Sequence, residues 1–159
     1  DLRQMLDEVL NDLNTAEDGD IFIQIPDNLP VIQAIPSQMR QLFQNILNNA
    51  VKFTLPGIPP VVQIRCRSVS AAELPQWKLL PDKRYCLLEF EDNGIGFEQE
   101  NAERIFTIFQ RLHGRSEYSG SGVGLAICKK IVDNHNGVIY ATGESGIGAV
   151  FSVVLPLEQ

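Results

Sequence analysis

A chain of 159 residues with a formal net charge of −7 is long enough for one domain and too acidic for a general nucleic-acid binder. Hydrophobic residues make up 44% of it, which favours a packed core, and no apolar run approaches the ~20 residues that span a bilayer. Three widely spaced cysteines form neither a disulfide framework nor a zinc signature. We therefore expect a cytoplasmic domain without direct membrane contact or nucleic-acid partner.

Hydrophobic spacing and turn residues predict a mixture of helices and strands. Helices are expected over residues 1–13, 36–53, 99–109 and 122–134. Strands are expected over 21–25, 31–35, 61–69, 84–91, 138–142 and 149–155. The stretch 70–83, which holds Trp77, is interpreted as a surface excursion between two strands. This order favours an α+β fold, a two-layer α/β sandwich, over a doubly wound sheet.

The helix predicted over 36–53 carries a polar stripe. Asn45, Asn49 and Lys52 stand at i, i+4 and i+7, so they share one face of the helix. A solvated surface would produce the same pattern, but asparagine is a poor helix former and adds no stability there. Two amide oxygens one turn apart suit Mg²⁺, a hard cation, and Lys52 could reach a phosphate. The stripe alone leaves both interpretations open.

The segment Asp92-Asn93-Gly94-Ile95-Gly96 follows a predicted strand. Asn-Gly favours a hairpin turn, yet the sequence continues into a helical pattern rather than a strand. Glycines allow a backbone to approach a flat ligand, and Asp92 could accept a hydrogen bond from an exocyclic amine. The segment is therefore a candidate ligand-binding turn.

A glycine-rich stretch, Gly120-Ser121-Gly122-Val123-Gly124-Leu125, runs into the last predicted helix. Free backbone N–H groups at a helix start bind phosphate. A Rossmann motif needs a strand directly before its glycines, and a P-loop needs Gly-Lys-Ser/Thr; the sequence has neither. A flexible linker before the helix is the alternative interpretation.

Together these motifs resemble the catalytic domain of sensor histidine kinases, in the ATPase superfamily shared with gyrase and mismatch-repair proteins. Asn45-x3-Asn49-x2-Lys52 is similar to the family's asparagine box. Asp92-x-Gly94-x-Gly96 and Gly120-x-Gly122-x-Gly124-Leu125 are similar to its two glycine boxes, and Ile105-Phe106-x-x-Phe109-x-Arg111 to its phenylalanine box. Residues 111–118 are similar to the lids of phytochrome-like and hybrid sensor kinases.

The resemblance implies a Bergerat-type sandwich, with a mixed sheet of about five strands, three main helices on one face, and ATP beneath a lid at 97–121. It implies that Asn45 and Asn49 hold Mg²⁺, that Asp92 binds the adenine amine, and that Lys52 and Arg111 are catalytic by neutralising phosphate charge. The remaining implied nucleotide-binding residues are Gly94, Gly96, His113, Arg115, Gly120, Ser121, Gly122, Val123, Gly124 and Leu125.

The resemblance also implies that residues 1–159 are the ATP-binding catalytic domain of a longer protein. His113, in the lid, and His135, after the last helix, do not stand where the family's phosphoacceptor histidine does. The expected function is transfer of the γ-phosphate of Mg-ATP to a histidine in two-component signal transduction. The expected partners are the protein's own upstream dimerisation and phosphoacceptor domain and a response regulator receiver domain.

The full-length protein is expected to be a homodimer, whether cytoplasmic throughout or anchored to a membrane elsewhere. Two alternatives stay open. One is a nucleotide-binding regulatory module without transfer activity. The other is an anti-sigma-type serine kinase on the same fold.

Overall fold

The computed structural model describes residues 1–16, 22–101, 104–106 and 124–159. These residues form three α-helices, namely α1 (Leu2–Ala16), α2 (Pro36–Lys52) and α3 (Gly124–Asn134). They also form five strands, namely β1 (Phe22–Gln24), β2 (Val61–Val69), β3 (Tyr85–Asp92), β4 (Val138–Glu144) and β5 (Gly148–Pro156). Short 3₁₀ turns occupy Ala71–Glu73, Gln99–Asn101 and Arg104–Phe106.

The strands make one five-stranded sheet in the order β1-β2-β3-β5-β4. β1 runs parallel to β2, whereas the other neighbouring pairs are antiparallel, so the sheet is mixed. The prediction of a two-layer α/β sandwich with a mixed sheet is confirmed. Among the described helices, none has the length and apolar character needed to cross a membrane.

The main core lies between the three helices and one face of the sheet. Along β2, Val62 and Ile64 are buried while Val61 and Gln63 are exposed, as the two-residue period of a strand with one covered face requires. The helices contribute apolar stripes to this core; α2 alone buries Met39, Leu42, Phe43, Ile46, Leu47 and Ala50. The apolar side of α2 therefore points to the sheet and leaves its asparagine stripe elsewhere on the helix.

The other face of the sheet is partly covered by the excursion at 70–83. Trp77 stacks on Tyr140 of β4 with ring centroids 5.2 Å apart, and Leu74 is buried beside them in a second apolar cluster. The strand residues of this cluster are Val69, Tyr85, Leu87, Val138, Tyr140 and Val154. The excursion is thus an apolar cap, which we call the outer cap, and it buries one end of β3 and β5 on both faces.

Two sequence predictions are wrong. Residues 31–35 form no strand, because their backbone donors bond singly rather than in a ladder: Gln33 N–H donates to the Leu157 carbonyl oxygen, and Ile35 N–H to His135. The helix predicted over 99–109 is replaced, within the described residues, by the 3₁₀ turns Gln99–Asn101 and Arg104–Phe106. Phe106 there meets Phe151 of β5 edge-on, with ring centroids 6.3 Å apart.

Candidate nucleotide site

The asparagine stripe of α2 meets the start of α3 at Asn45. Its Nδ2 donates to the Gly124 carbonyl oxygen at 3.4 Å. Asn45 and Asn49 are half-buried, whereas Lys52, in the last turn of α2, is exposed. Half-buried amide oxygens one turn apart form a donor set that suits Mg²⁺, and the exposed ammonium beside them suits an anionic ligand.

Asp92 ends β3 with its carboxylate fixed by backbone donors. The N–H groups of Gly94 and Ala149 donate to the same oxygen, Oδ1, at 3.0 and 3.3 Å. Burial raises the pKa of Asp92 to about 6; the two backbone hydrogen bonds oppose that rise, and nearby Glu91 adds to it. Both of these hydrogen bonds, the ones that the described residues make to this carboxylate, use Oδ1 and leave Oδ2 out.

The turn after Asp92 requires glycine at two positions because neighbouring backbones touch it. A Cβ at Gly94 would overlap the carbonyl oxygen of Phe53, the residue at the end of α2. Gly96 has φ of +66°, and a Cβ there would overlap the Glu144 carbonyl oxygen. Only glycine fits at these two positions. The turn is therefore packed closely against the backbones of Phe53 and Glu144 and is not a free loop.

Hydrogen bonds from Ile95 connect the same turn to two elements. Its N–H donates to the Phe53 carbonyl oxygen at 2.9 Å, and its own carbonyl accepts from Gly146 N–H at 2.7 Å. The turn therefore joins the end of α2 to the β4–β5 connection. Asp92 and the asparagine stripe are consequently parts of one connected framework.

Asn93 is a site-supporting residue that the sequence analysis did not single out. Its Oδ1 accepts from Val61 N–H at 2.8 Å, and its Nδ2 donates to the Pro59 carbonyl oxygen at 3.1 Å. The side chain thus ties the turn to the start of β2. An Asn-Gly pair favours a hairpin turn, whereas the Asn93 side chain here bonds to the start of a distant strand.

The glycine-rich stretch at 120–125 is predicted to bind phosphate, and the structure describes it from Gly124 onward. α3 begins at Gly124 and has no acidic residue in its first turn, so no carboxylate within that turn offsets the positive end of its dipole. Leu125 is half-buried and packs against the main core. Other predicted residues lie outside the described part of the chain: Arg111, His113, Arg115, Gly120, Ser121, Gly122, Val123 and most of the lid at 97–121.

A protein-family profile for the histidine kinase-, DNA gyrase B- and HSP90-like ATPases matches residues 34–159. The chain belongs to this family. The match spans the asparagine stripe, the Asp92 turn and α3, which are the elements that build the candidate site. The predicted assignment to this ATPase superfamily is confirmed.

The chain is also similar in sequence to a phytochrome and to a sensory kinase. The chain is 38% identical to cyanobacterial phytochrome A of Nostoc sp., over 99% of its own length and 19% of that protein. It is 28% identical to the adaptive-response sensory kinase SasA of Synechococcus elongatus, over 98% of its length and 36% of that protein. The chain thus spans about a fifth to a third of these relatives.

Solved structures support the fold. A mycobacterial sensor histidine kinase, MprB, superposes with a TM-score of 0.73 at 24% identity, covering 98% of this chain and 94% of that one. Full-length ShkA in complex with AMPPNP superposes with a TM-score of 0.73 at 26% identity, covering 98% of this chain and 30% of that one. The chain thus has the fold of these sensor histidine kinase structures, as the sequence predicted.

Proposed function

We propose that this domain binds ATP with Mg²⁺ and transfers the γ-phosphoryl group to a histidine on a separate dimerisation domain of the same longer protein. The observation that carries the proposal is the Asp92 carboxylate, fixed through Oδ1 by Gly94 and Ala149 on a turn docked to α2. Oδ2 then accepts the adenine amine. The ShkA structure, which is a complex with AMPPNP, supports a nucleotide in a site of this fold.

The phosphate end of the nucleotide is assigned to three sets of groups. Asn45 and Asn49 hold Mg²⁺ through their amide oxygens, and the ion supplies charge neutralisation at the phosphates. Lys52 and Arg111 add positive charge. The N-terminal end of α3, with Gly124 and the preceding glycine-rich stretch, receives the phosphate chain.

Transfer rather than hydrolysis follows from the chemistry of Asn45. An amide does not act as a base at neutral pH, so this side chain cannot activate a water molecule. Phosphoryl transfer needs mainly positioning and charge stabilisation, which the proposed groups supply without a covalent residue. A histidine presented by another domain is therefore the proposed acceptor.

The partners follow from the same proposal. The domain is part of a longer, homodimeric protein, and the phosphoryl group passes from the acceptor histidine to a response regulator receiver domain. The sensory relatives, a phytochrome and an adaptive-response kinase, support this setting. The three free cysteines, Cys66, Cys86 and Cys128, fit a reducing cytoplasm.

The test mixes this domain, labelled ATP and Mg²⁺ with the separately produced dimerisation domain of the full-length protein. We expect acid-labile label on the dimerisation domain and none on this domain alone. An acid-stable serine product would instead favour the anti-sigma-type kinase. Nucleotide binding without label on any acceptor would favour a regulatory module.

A further inference from the structure

The outer face of the sheet, opposite the helices, carries a row of residues that the outer cap leaves open. The strand register places four residues side by side across β2, β3, β5 and β4, namely Gln63, Glu91, Val150 and Thr142. Glu91 stands four residues from Leu87, which the cap buries, so both side chains lie on the outer face. Val150 is half-buried and the other three members of the row are exposed. Within the described part of the chain, this row is therefore the uncovered end of the outer face.

A groove of about 510 Å³ lies over this row, and we call it the outer groove. Its lining also includes Val61, at the start of β2, and Glu144 and Ile147, at the β4–β5 connection. Ile147 is 61% exposed and Val61 is 41% exposed, so an exposed apolar side chain stands on each side of the groove. A groove of this volume with apolar residues at its rim has the size and character of a binding surface.

The charge of the outer groove limits what can bind there. The charged residues that line it are all acidic, namely Glu91, Asp92 and Glu144. Arg65 lies beside the groove, with its guanidinium 2.8 Å from Glu91 and 3.8 Å from Glu89, so one cation serves two carboxylates. No described lysine or arginine forms an ion pair with Glu144. The groove therefore has an excess of negative charge, which a cationic ligand complements.

The length of the groove distinguishes a peptide from a small cation. Three inter-strand spacings of about 4.8 Å separate β2 from β4, so the row is about 14 Å long. A single amino acid or amine fills only part of that length. An extended peptide rises about 3.3 Å per residue, so roughly five residues span the row, with the first, third and fifth side chains on the same side.

We propose that the outer groove binds an extended segment of a partner protein that carries a basic residue between two apolar ones. The basic side chain pairs with the acidic side chains of the groove, and the apolar side chains cover Val61 and Ile147. The groove lies across the sheet from α2, so a segment bound there leaves the asparagine stripe accessible. This docking surface does not depend on the proposed function.

The test is an NMR titration of the isotope-labelled domain with a capped pentapeptide that has leucine at both ends, arginine in the middle and serine between them. We expect saturable changes in the backbone amide signals of Glu91, Thr142 and Ile147. The affinity should fall as salt is raised, because the ion pairs are exposed to solvent. A peptide with glutamate in place of arginine should bind at least about tenfold more weakly, because like charges then face each other.

Two variants of the groove and two matched controls locate the binding. Glu144→Gln removes one carboxylate and is expected to weaken peptide binding about two- to fivefold, the effect of losing one exposed ion pair. Ile147→Asn removes an apolar contact and is expected to weaken binding to a similar extent. Asp82→Asn and Leu80→Asn make the same kinds of change at exposed positions of the outer cap and are expected to leave the affinity unchanged.

Several results would overturn the proposal. They are a titration without saturable changes, equal affinity for the glutamate peptide, and groove variants that bind as tightly as the original domain. Changes in the same signals that depend on domain concentration, without peptide, would assign the groove to a second copy of the chain. Arginine amide that binds as tightly as the pentapeptide would show that the groove takes a small cation and not a protein segment.

Discussion

The ring of His135, buried where α3 ends, accepts a hydrogen bond from the Ile35 backbone N–H at 3.0 Å. Its other nitrogen, Nδ1, lies 2.8 Å from the Ile131 carbonyl oxygen, so the neutral ring donates there and accepts from Ile35 through Nε2. A single side chain therefore ties the end of α3 to the residue that precedes α2.

We expect His135→Ala to lower the free energy of unfolding by about 2–4 kcal/mol, because it opens a cavity at a buried residue and leaves the Ile35 N–H without its acceptor. Urea denaturation measures the change. Lys130→Ala, on the exposed face of α3, is the control and is expected to stay within about 0.5 kcal/mol of the original domain. Equal transitions for both variants would contradict the tie between the two helices.

The pKa of Asp92 predicts a pH dependence of nucleotide binding. Since burial raises this pKa to about 6, lowering the pH through that value protonates the carboxylate and removes the proposed acceptor for the adenine amine. We expect ATP affinity to fall between pH 7.5 and pH 5. Asp92→Asn should bind weakly with a flatter profile, and an equally steep profile in that variant would count against Asp92 as the titrating group.

The raised pKa of Asp92 has the opposite effect on stability, because lowering the pH stabilises the folded domain. The folded-state pKa of Asp92 lies above the ordinary value of 3.8, so protonation favours the folded domain as pH falls from above 6 towards 4. We therefore expect Asp92→Asn to unfold at a higher urea concentration than the original domain at pH 7 without nucleotide. This advantage should disappear near pH 4. A variant less stable at both pH values would show that the charge is not destabilising.

Gly96, in the turn after Asp92, and Gly57 are a matched pair of positions for an alanine substitution. Both have positive φ, +66° and +76°, but a Cβ on Gly57 meets nothing within 4 Å, whereas one on Gly96 overlaps the Glu144 backbone. We expect Gly57→Ala to cost about 1–2 kcal/mol of stability from backbone strain and to retain ATP binding. Gly96→Ala should be more destabilised and lose binding. Similar losses in both would mean that strain alone, not the close approach, explains the glycine.

Alanine variants of Asn49 and Lys52 should differ in how their ATP affinity responds to metal concentration. Asn49→Ala removes a proposed Mg²⁺ ligand, so we expect a roughly tenfold weaker ATP affinity, about 1.4 kcal/mol, that recovers as Mg²⁺ or Mn²⁺ is raised. Lys52→Ala removes only a positive charge and should show a loss that metal does not rescue. Calorimetric titrations at low and high metal concentration distinguish the two. Identical metal responses would contradict the separate roles.

The sequence was sufficient where one local pattern decides the structure. The apolar period of α2 and the proline that begins it predict the helix, and Asp92-x-Gly94-x-Gly96 predicts a turn, whose glycines meet Phe53 and Glu144. The tertiary partners of these groups could not be predicted. Nothing local shows that Asn93 would bond to Val61 and Pro59, because that contact depends on how two distant strands pair.

Residues 31–35 show how a local pattern can predict the wrong structure. Their apolar residues have the composition of a strand, but a strand also needs a neighbour that accepts its backbone donors in series. His135, a hundred residues later, takes the donor of Ile35 instead. Likewise, the hydrogen bond from the Cys128 thiol to the Leu42 carbonyl oxygen forms only when α2 and α3 are packed together.

Trp77 is the only tryptophan in the chain, and its stack on Tyr140 lies on the face of the sheet opposite the helices. The domain therefore has a single tryptophan fluorophore, which lies in the outer cap, across the sheet from the asparagine stripe. Its emission follows the attachment of the cap to β4, whereas far-ultraviolet circular dichroism follows the helices of the main core. Comparing the two signals in one urea titration shows whether the cap detaches before the rest of the domain unfolds.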